Sequence, residues 1–262
     1  MSILPVLLAL PLLSGFVHER TLPFSGNQIE LDELGNIYTV NRTRMEKWSS
    51  DGTLLFRSAD LNYGDITQFD LSNPLMPFAY YREQAKVVFL DNTLSQQGST
   101  IDLFEKGFLQ VEYICGSRGD AFWLWDARMS ELIRVDRAFQ PLSSTGNLGV
   151  VLGLELHPVQ VTERGNSVFL VDPELGILIF DIYGTYRTRL PVKTTKPIRV
   201  VDDNLLFMSD DGLHILDPTR TQEDVLPVPE GAFESYTFAR NRLYLSGGGT
   251  TKVYRYMPDV KN

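Results

Sequence analysis

Three histidines, one cysteine, two alternating tryptophans, a glycine-rich run and a recurring aspartate are the residues here whose types could carry chemistry. A structural or catalytic zinc site needs His and Cys at paired spacing. His18, His157 and His214 are scattered singly, and Cys115 stands alone within Tyr113-Ile114-Cys115-Gly116. That context reads as a small buried hydrophobe, not a reactive thiol. His214 sits between Leu213 and Ile215 and reads as a strand histidine packed against its neighbours. No G-x-S-x-G turn is present to expose a serine nucleophile. Gly247-Gly248-Gly249-Thr250-Thr251 has the composition of a phosphate cradle. Such a cradle must open a helix, and here Lys252 leads into the strand-like Val253-Tyr254-Arg255-Tyr256. The run is therefore a loop between two strands. No catalytic residue, cofactor or metal ligand is assigned.

Trp123 and Trp125 alternate in one apolar run and so point to the same face. Packing between layers accounts for them, and an aromatic platform for sugar or peptide, rimmed by Asp120 and Asp126, is the alternative. An aspartate closes one apolar strand after another, at Asp51, Asp91, Asp136, Asp181 and Asp217, each followed by turn-forming residues. Aspartate at such a place accepts backbone N–H groups in a tight turn. A calcium-dependent lactonase would instead need Asp, Asn and Glu from several units to meet on a common axis, and that reading stays open at this point.

These residues recur because the elements carrying them recur. An apolar strand ending in an aromatic appears at Tyr38, Tyr80, Trp123, Phe169, Phe207 and Tyr244, roughly forty residues apart. Around each lie a lead-in strand, the aspartate-terminated strand and an edge strand, with no sustained helical period anywhere. A lone four-stranded sheet leaves both faces wet. Six stacked around an axis bury those faces and keep only short edges. The expected fold is all-β, a six-bladed β-propeller formed by residues 16–262 as one domain. A segment near Gly15 to Phe24 is expected to complete the last sheet.

The 262 residues are 43% hydrophobic and 22% charged, ordinary for a packed domain. The formal net charge of −9 repels the phosphates of nucleic acid and anionic lipid, so no nucleic-acid partner is expected. Lys193 to Arg199 is the nearest approach to a basic patch and reads as a solvated loop between repeats. The uncharged apolar run from Ser2 to Gly15 is too short to span a membrane and suits a leader over residues 1–15. Removal near Gly15 or slightly later would start the mature chain around Phe16 to Thr21. A periplasmic location follows, with no disulfide available to the single cysteine and no direct membrane insertion once the leader is gone.

One segment runs Asp65-Ile66-Thr67-Gln68-Phe69-Asp70-Leu71-Ser72-Asn73-Pro74-Leu75, then Phe78-Ala79-Tyr80-Tyr81 and Val87-Val88-Phe89-Leu90-Asp91-Asn92-Thr93-Leu94. It resembles a family of exported propeller-like proteins of Bacteroidota, associated with the plug subunit of the type IX secretion translocon. The resemblance covers about thirty residues. It implies a protein partner, an outer-membrane barrel complex, and brings no catalytic residues. Asn73, Pro74 and Leu75 then become a candidate interaction loop, with an ordinary inter-strand turn as the alternative.

Overall fold

The structure is a computed structural model that describes residues 15–59, 62–218 and 222–258. Among the described residues the strands form six four-stranded antiparallel sheets. Blade 1 is Gln28–Leu31, Ile37–Asn41, Arg44–Trp48 and Leu54–Ala59. Blade 2 is Gln68–Asp70, Phe78–Tyr81, Lys86–Phe89 and Ile101–Asp102. Blade 3 is Val111–Ser117, Ala121–Asp126, Glu131–Val135 and Pro141–Ser144. Blade 4 is Gln160–Arg164, Ser167–Asp172, Gly176–Asp181 and Tyr186–Leu190. Blade 5 is Arg199–Val201, Asn204–Ser209, Gly212–Asp217 and Gln222–Leu226. Blade 6 takes Ser235–Ala239, Arg242–Gly247 and Thr250–Met257 from the end of the chain and Gly15–Leu22 from its beginning.

The six apolar clusters show why the ring closes. Each joins the faces of two adjacent blades, and the sixth, with Leu22, Ile29, Ile37, Tyr244 and Val253, joins blade 6 to blade 1. Second strands are buried on both faces, and the run Ala121–Asp126 is buried at every residue. That is why they read as unbroken apolar runs without alternation. The closing strand pairs from Gly15 with Met257 to Leu22 with Thr251. The leader proposed over residues 1–15 lies outside the described residues up to position 14. A mature chain starting at Thr21 would lack most of the closing strand.

Pairing register adjusts the aromatic landmark. The residues opposite the third-strand position two before the turn aspartate, or two before Ser49 in blade 1, place Phe78 and Leu206, not Tyr80 and Phe207, level with Tyr38, Trp123 and Phe169. Blade 2 kept an aromatic at both places and blade 5 carries one on the other face, so composition alone misaligned them.

Aspartates hold the turns between third and fourth strands. The Oδ1 atoms of Asp91, Asp136 and Asp181 each accept the N–H groups two and four residues on, at 2.8–3.0 Å. In blade 1 the equivalent backbone position belongs to Ser49, whose N–H bonds Thr53 O and whose carbonyl accepts from Gly52. Asp51 supports that turn from within, by accepting from Ser49 Oγ and Thr53 N. The turn after Asp217 includes residues outside the described set. A short helix, Leu148–Leu152, capped by Asn147 Oδ1 on Val150 N, and a single 3-10 turn, Arg82–Gln84, are elements the repeat did not announce; both are too short to display a helical period.

Four antiparallel strands return the chain to the end of the blade where it began. First-to-second and third-to-fourth turns therefore share one mouth of the ring, here the turn mouth. Second-to-third turns and the connections between blades share the other, the connector mouth. First strands of adjacent blades approach one another and line the axis.

Candidate functional site

Level with the aromatic landmarks, the first strands place Glu30, Asp70, Cys115, Thr162, Arg199 and Thr237 around the axis. Arg199 donates from Nη1 to Glu30 Oε1 at 2.6 Å and from Nη2 to the carbonyls of Ile29 and Tyr236. Burial raises the Glu30 carboxyl above its ordinary value, opposed by this guanidinium. A lactonase-type centre would need acids from several blades around a cation; here a guanidinium already occupies the place beside Glu30. Among the described residues no three His, Cys, Asp or Glu side chains are grouped to hold a metal ion. Burial, with the charges of Asp70 and Glu163, pushes the Cys115 thiol well up, which keeps it protonated and unreactive.

A second axial feature was invisible in the sequence. Gln28, Gln68 and Gln160 occupy equivalent first-strand positions, and each reaches across to the next blade. Gln68 donates to Ile114 O and accepts from Ile114 N; Gln160 does the same with Ile198. Gln28 donates to Thr67 O and accepts from Phe69 N. These glutamines form clasps between the first strands of neighbouring blades, and the only hint would have been Gln recurring one strand before the landmark.

The tryptophans do not form a surface platform. Both are 0% exposed in the core between blades 3 and 4, and Trp123 Nε1 donates to Glu163 Oε2 at 2.8 Å. Sugar or peptide cannot reach their faces. Of the flanking acids, Asp126 is buried and caps the next turn through Met129 N, and only Asp120 is exposed.

Asn73, Pro74 and Leu75 lie in the first turn of blade 2, at the turn mouth. Asn73 Oδ1 accepts from Leu75 N, and Met76 N bonds the Asn73 carbonyl, so the segment is a tight turn with Leu75 left 84% exposed. Asn73 also lines a cavity of about 540 Å3 shared by blades 2, 3 and 4, with Ser72, Arg118, Asp120, Glu163 and Arg164. Gly116 permits this close assembly: a Cβ there would come within 2.2 Å of Ser72 Oγ. Its N–H instead bonds Asp70 Oδ2 at 3.1 Å.

The connector mouth is different in character. Phe104, Leu109, Met129, Val150 and Val151 are all exposed there, the last two by 82% and 63%. Backbone bonding of Ala127 to Gln110 and a bond from Asn147 Nδ2 to Met129 O tie their loops together over blades 2 and 3. The basic loop before blade 5 is committed elsewhere: Lys196 lies 3.9 Å over the Phe233 ring and Arg199 points to the axis. Among the described residues no helix is long and apolar enough to cross a membrane.

The class this arrangement defines is a six-bladed β-propeller. No protein-family model matches the chain. None of the curated proteins matches it. Among solved structures the chain is similar to the WD40 domain of Pan2 from Neurospora crassa, at 9% identity and TM-score 0.63 over 95% of this chain and 97% of that one. It is also similar to BamB from Moraxella catarrhalis, at 12% identity and TM-score 0.57 over 92% and 100%. A third is a catalytically inactive virginiamycin B lyase from Staphylococcus aureus with quinupristin, at 12% identity and TM-score 0.61 over 94% and 88%. At such identities the likeness shows the fold, which binding domains and enzymes share.

Proposed function

We propose that this chain is a non-catalytic, protein-binding propeller of the periplasm that closes the periplasmic side of an outer-membrane barrel, the translocon of type IX secretion. The observation that carries the protein-binding reading is the apolar patch at the connector mouth. Soluble monomers seldom leave five large apolar side chains together in water, and such a patch rimmed by polar residues marks an interaction surface. The plug role draws on the blade 2 segment and its resemblance, and on the leader-like run before Gly15. A rigid disc held by six packed interfaces is suited to blocking an aqueous opening, with its loops making the contacts.

Affinity purification of a tagged copy from envelopes of the native host tests this. Recovery of a very large outer-membrane barrel with secretion components, lost with Val150→Asp, is the expected result. Repeated recovery of the protein alone would overturn it.

A further inference from the structure

The cavity at the turn mouth lies at the opposite end of the ring from the apolar patch and does not depend on how that patch is used. Its volume of about 540 Å3 falls in the range of pockets that hold small ligands. Most of its polar wall is already satisfied. Glu163 accepts from Ser117 Oγ at 2.6 Å, Trp123 Nε1 at 2.8 Å and Arg118 N at 3.1 Å. Arg118 is spent on the Gly165 carbonyl and Asn166 Oδ1. Such a wall is rigid because its rotamers are fixed by their bonds.

Two lining charges are left over. The side chains of Arg164 and Asp120 are both exposed and make no hydrogen bond or ion pair to any described residue, although the charge of Arg164 also acts at longer range on the Glu30 carboxylate. A ligand of one sign would satisfy one and be repelled by the other. A neutral ligand would strip water from both without compensation. Ser72 and Asn73 add a hydroxyl and an amide, and exposed Leu75, two residues from Asn73, offers an apolar seat outside the opening.

We propose that this cavity is a binding site for a short peptide segment carrying one carboxylate and one cationic side chain, the carboxylate meeting Arg164 and the cation meeting Asp120. The apolar seat at the rim favours a peptide over a free amino acid, which would end inside the cavity.

The test is calorimetric titration of the full chain with four blocked tetrapeptides: Glu-Leu-Ala-Lys, Gln-Leu-Ala-Lys, Glu-Leu-Ala-Gln and Gln-Leu-Ala-Gln. The doubly charged peptide should bind most tightly, and neutralising either peptide charge should weaken binding about fivefold, the upper range for an exposed ion pair. Arg164→Gln should cost the same factor for Glu-Leu-Ala-Lys and nothing for Gln-Leu-Ala-Lys; Asp120→Asn should show the converse dependence on Lys. Both side chains are exposed, so both variants should melt with the parent. No heat from the doubly charged peptide, or an affinity unmoved by either substitution, would overturn the proposal.

Discussion

Arg199 on the first strand of blade 5 donates to Glu30 on the first strand of blade 1 at 2.6 Å, reaching past blade 6. Its other terminal nitrogen bonds carbonyls of Ile29 and Tyr236, so one side chain ties three blades at the joint where the two ends of the chain meet. Replacing it with Met leaves a carboxylate facing the axis without its partner. The pair is only about four-fifths buried, with side-chain exposures of 21% and 23%. The expected loss is therefore about 2 kcal/mol, below the full cost of breaking a buried pair. Urea unfolding of Arg199→Met should show a lower midpoint at unchanged slope. Adding Glu30→Leu should restore part of the loss; a double variant weaker than the single one would refute this account.

Gln68 makes the same kind of argument with neutral groups. Its side chain satisfies both the N–H and the carbonyl of Ile114. Gln68→Leu keeps the bulk and leaves two backbone groups of the next blade unpaired, a cost of about 1–3 kcal/mol. Gln160→Leu should behave alike through Ile198. An exposed glutamine such as Gln97 serves as control, and equal effects at Gln97 and Gln68 would mean the clasp contributes nothing.

These two relationships also mark where the sequence stops being readable. Blade count, the closing strand and the aspartate turns follow from local period and turn chemistry, since the Oδ1 atoms of Asp91, Asp136 and Asp181 accept N–H groups of their own turns. The reach from Arg199 to Glu30 spans 169 positions, and nothing local encodes it. The tryptophan face failed as a site for the same reason: alternation shows that Trp123 and Trp125 point one way, but only the neighbouring blade decides whether that way is solvent or core. Asn73 stood out through the resemblance of its segment, with turn composition giving the alternative reading, while its companions Arg118, Asp120 and Arg164 come from two other blades.

His214 stacks on Phe207 with ring centroids 4.6 Å apart. Its Nε2 lies 2.7 Å from Asp211 Oδ1, near Ser209 Oγ, and its Nδ1 contacts Glu223. Burial pulls the imidazole pKa down, but the bonds to Asp211 and Glu223 and their charges outweigh it, and the net shift is upward. The folded protein thus holds this proton more firmly than the unfolded chain. The stabilisation is full below about pH 6.5 and is lost as pH rises through the folded value. The gap in melting temperature between the parent and His214→Gln should be widest near pH 5.5 and narrow toward pH 8.5. A gap independent of pH would mean the imidazole is not the titrating group.

The closing strand carries its own acid switch. Its register slips at Glu19, between His18 and Arg20, and this bulge accompanies a carboxylate bonded to Arg242 Nε at 2.8 Å and to Arg20 at 2.9 Å. The hydrogen bond from Arg242, aided by the charges of Arg242, Arg20 and Arg255 and opposed by burial, lowers the Glu19 pKa below its ordinary 4.5. Stabilisation from Glu19 is therefore present above that value and disappears as pH falls through the folded one. Glu19→Gln should lower the melting temperature at pH 7 and make little difference near pH 3. The same strand limits where a leader can be removed. Among the described residues pairing runs from Gly15, and Leu22 at the far end is buried between blades 6 and 1, so a chain trimmed to Thr21 forfeits most of the seam. N-terminal sequencing of protein taken from the native host should find a first residue no later than Phe16. A mature terminus at Thr21 would mean that the last blade closes without this strand.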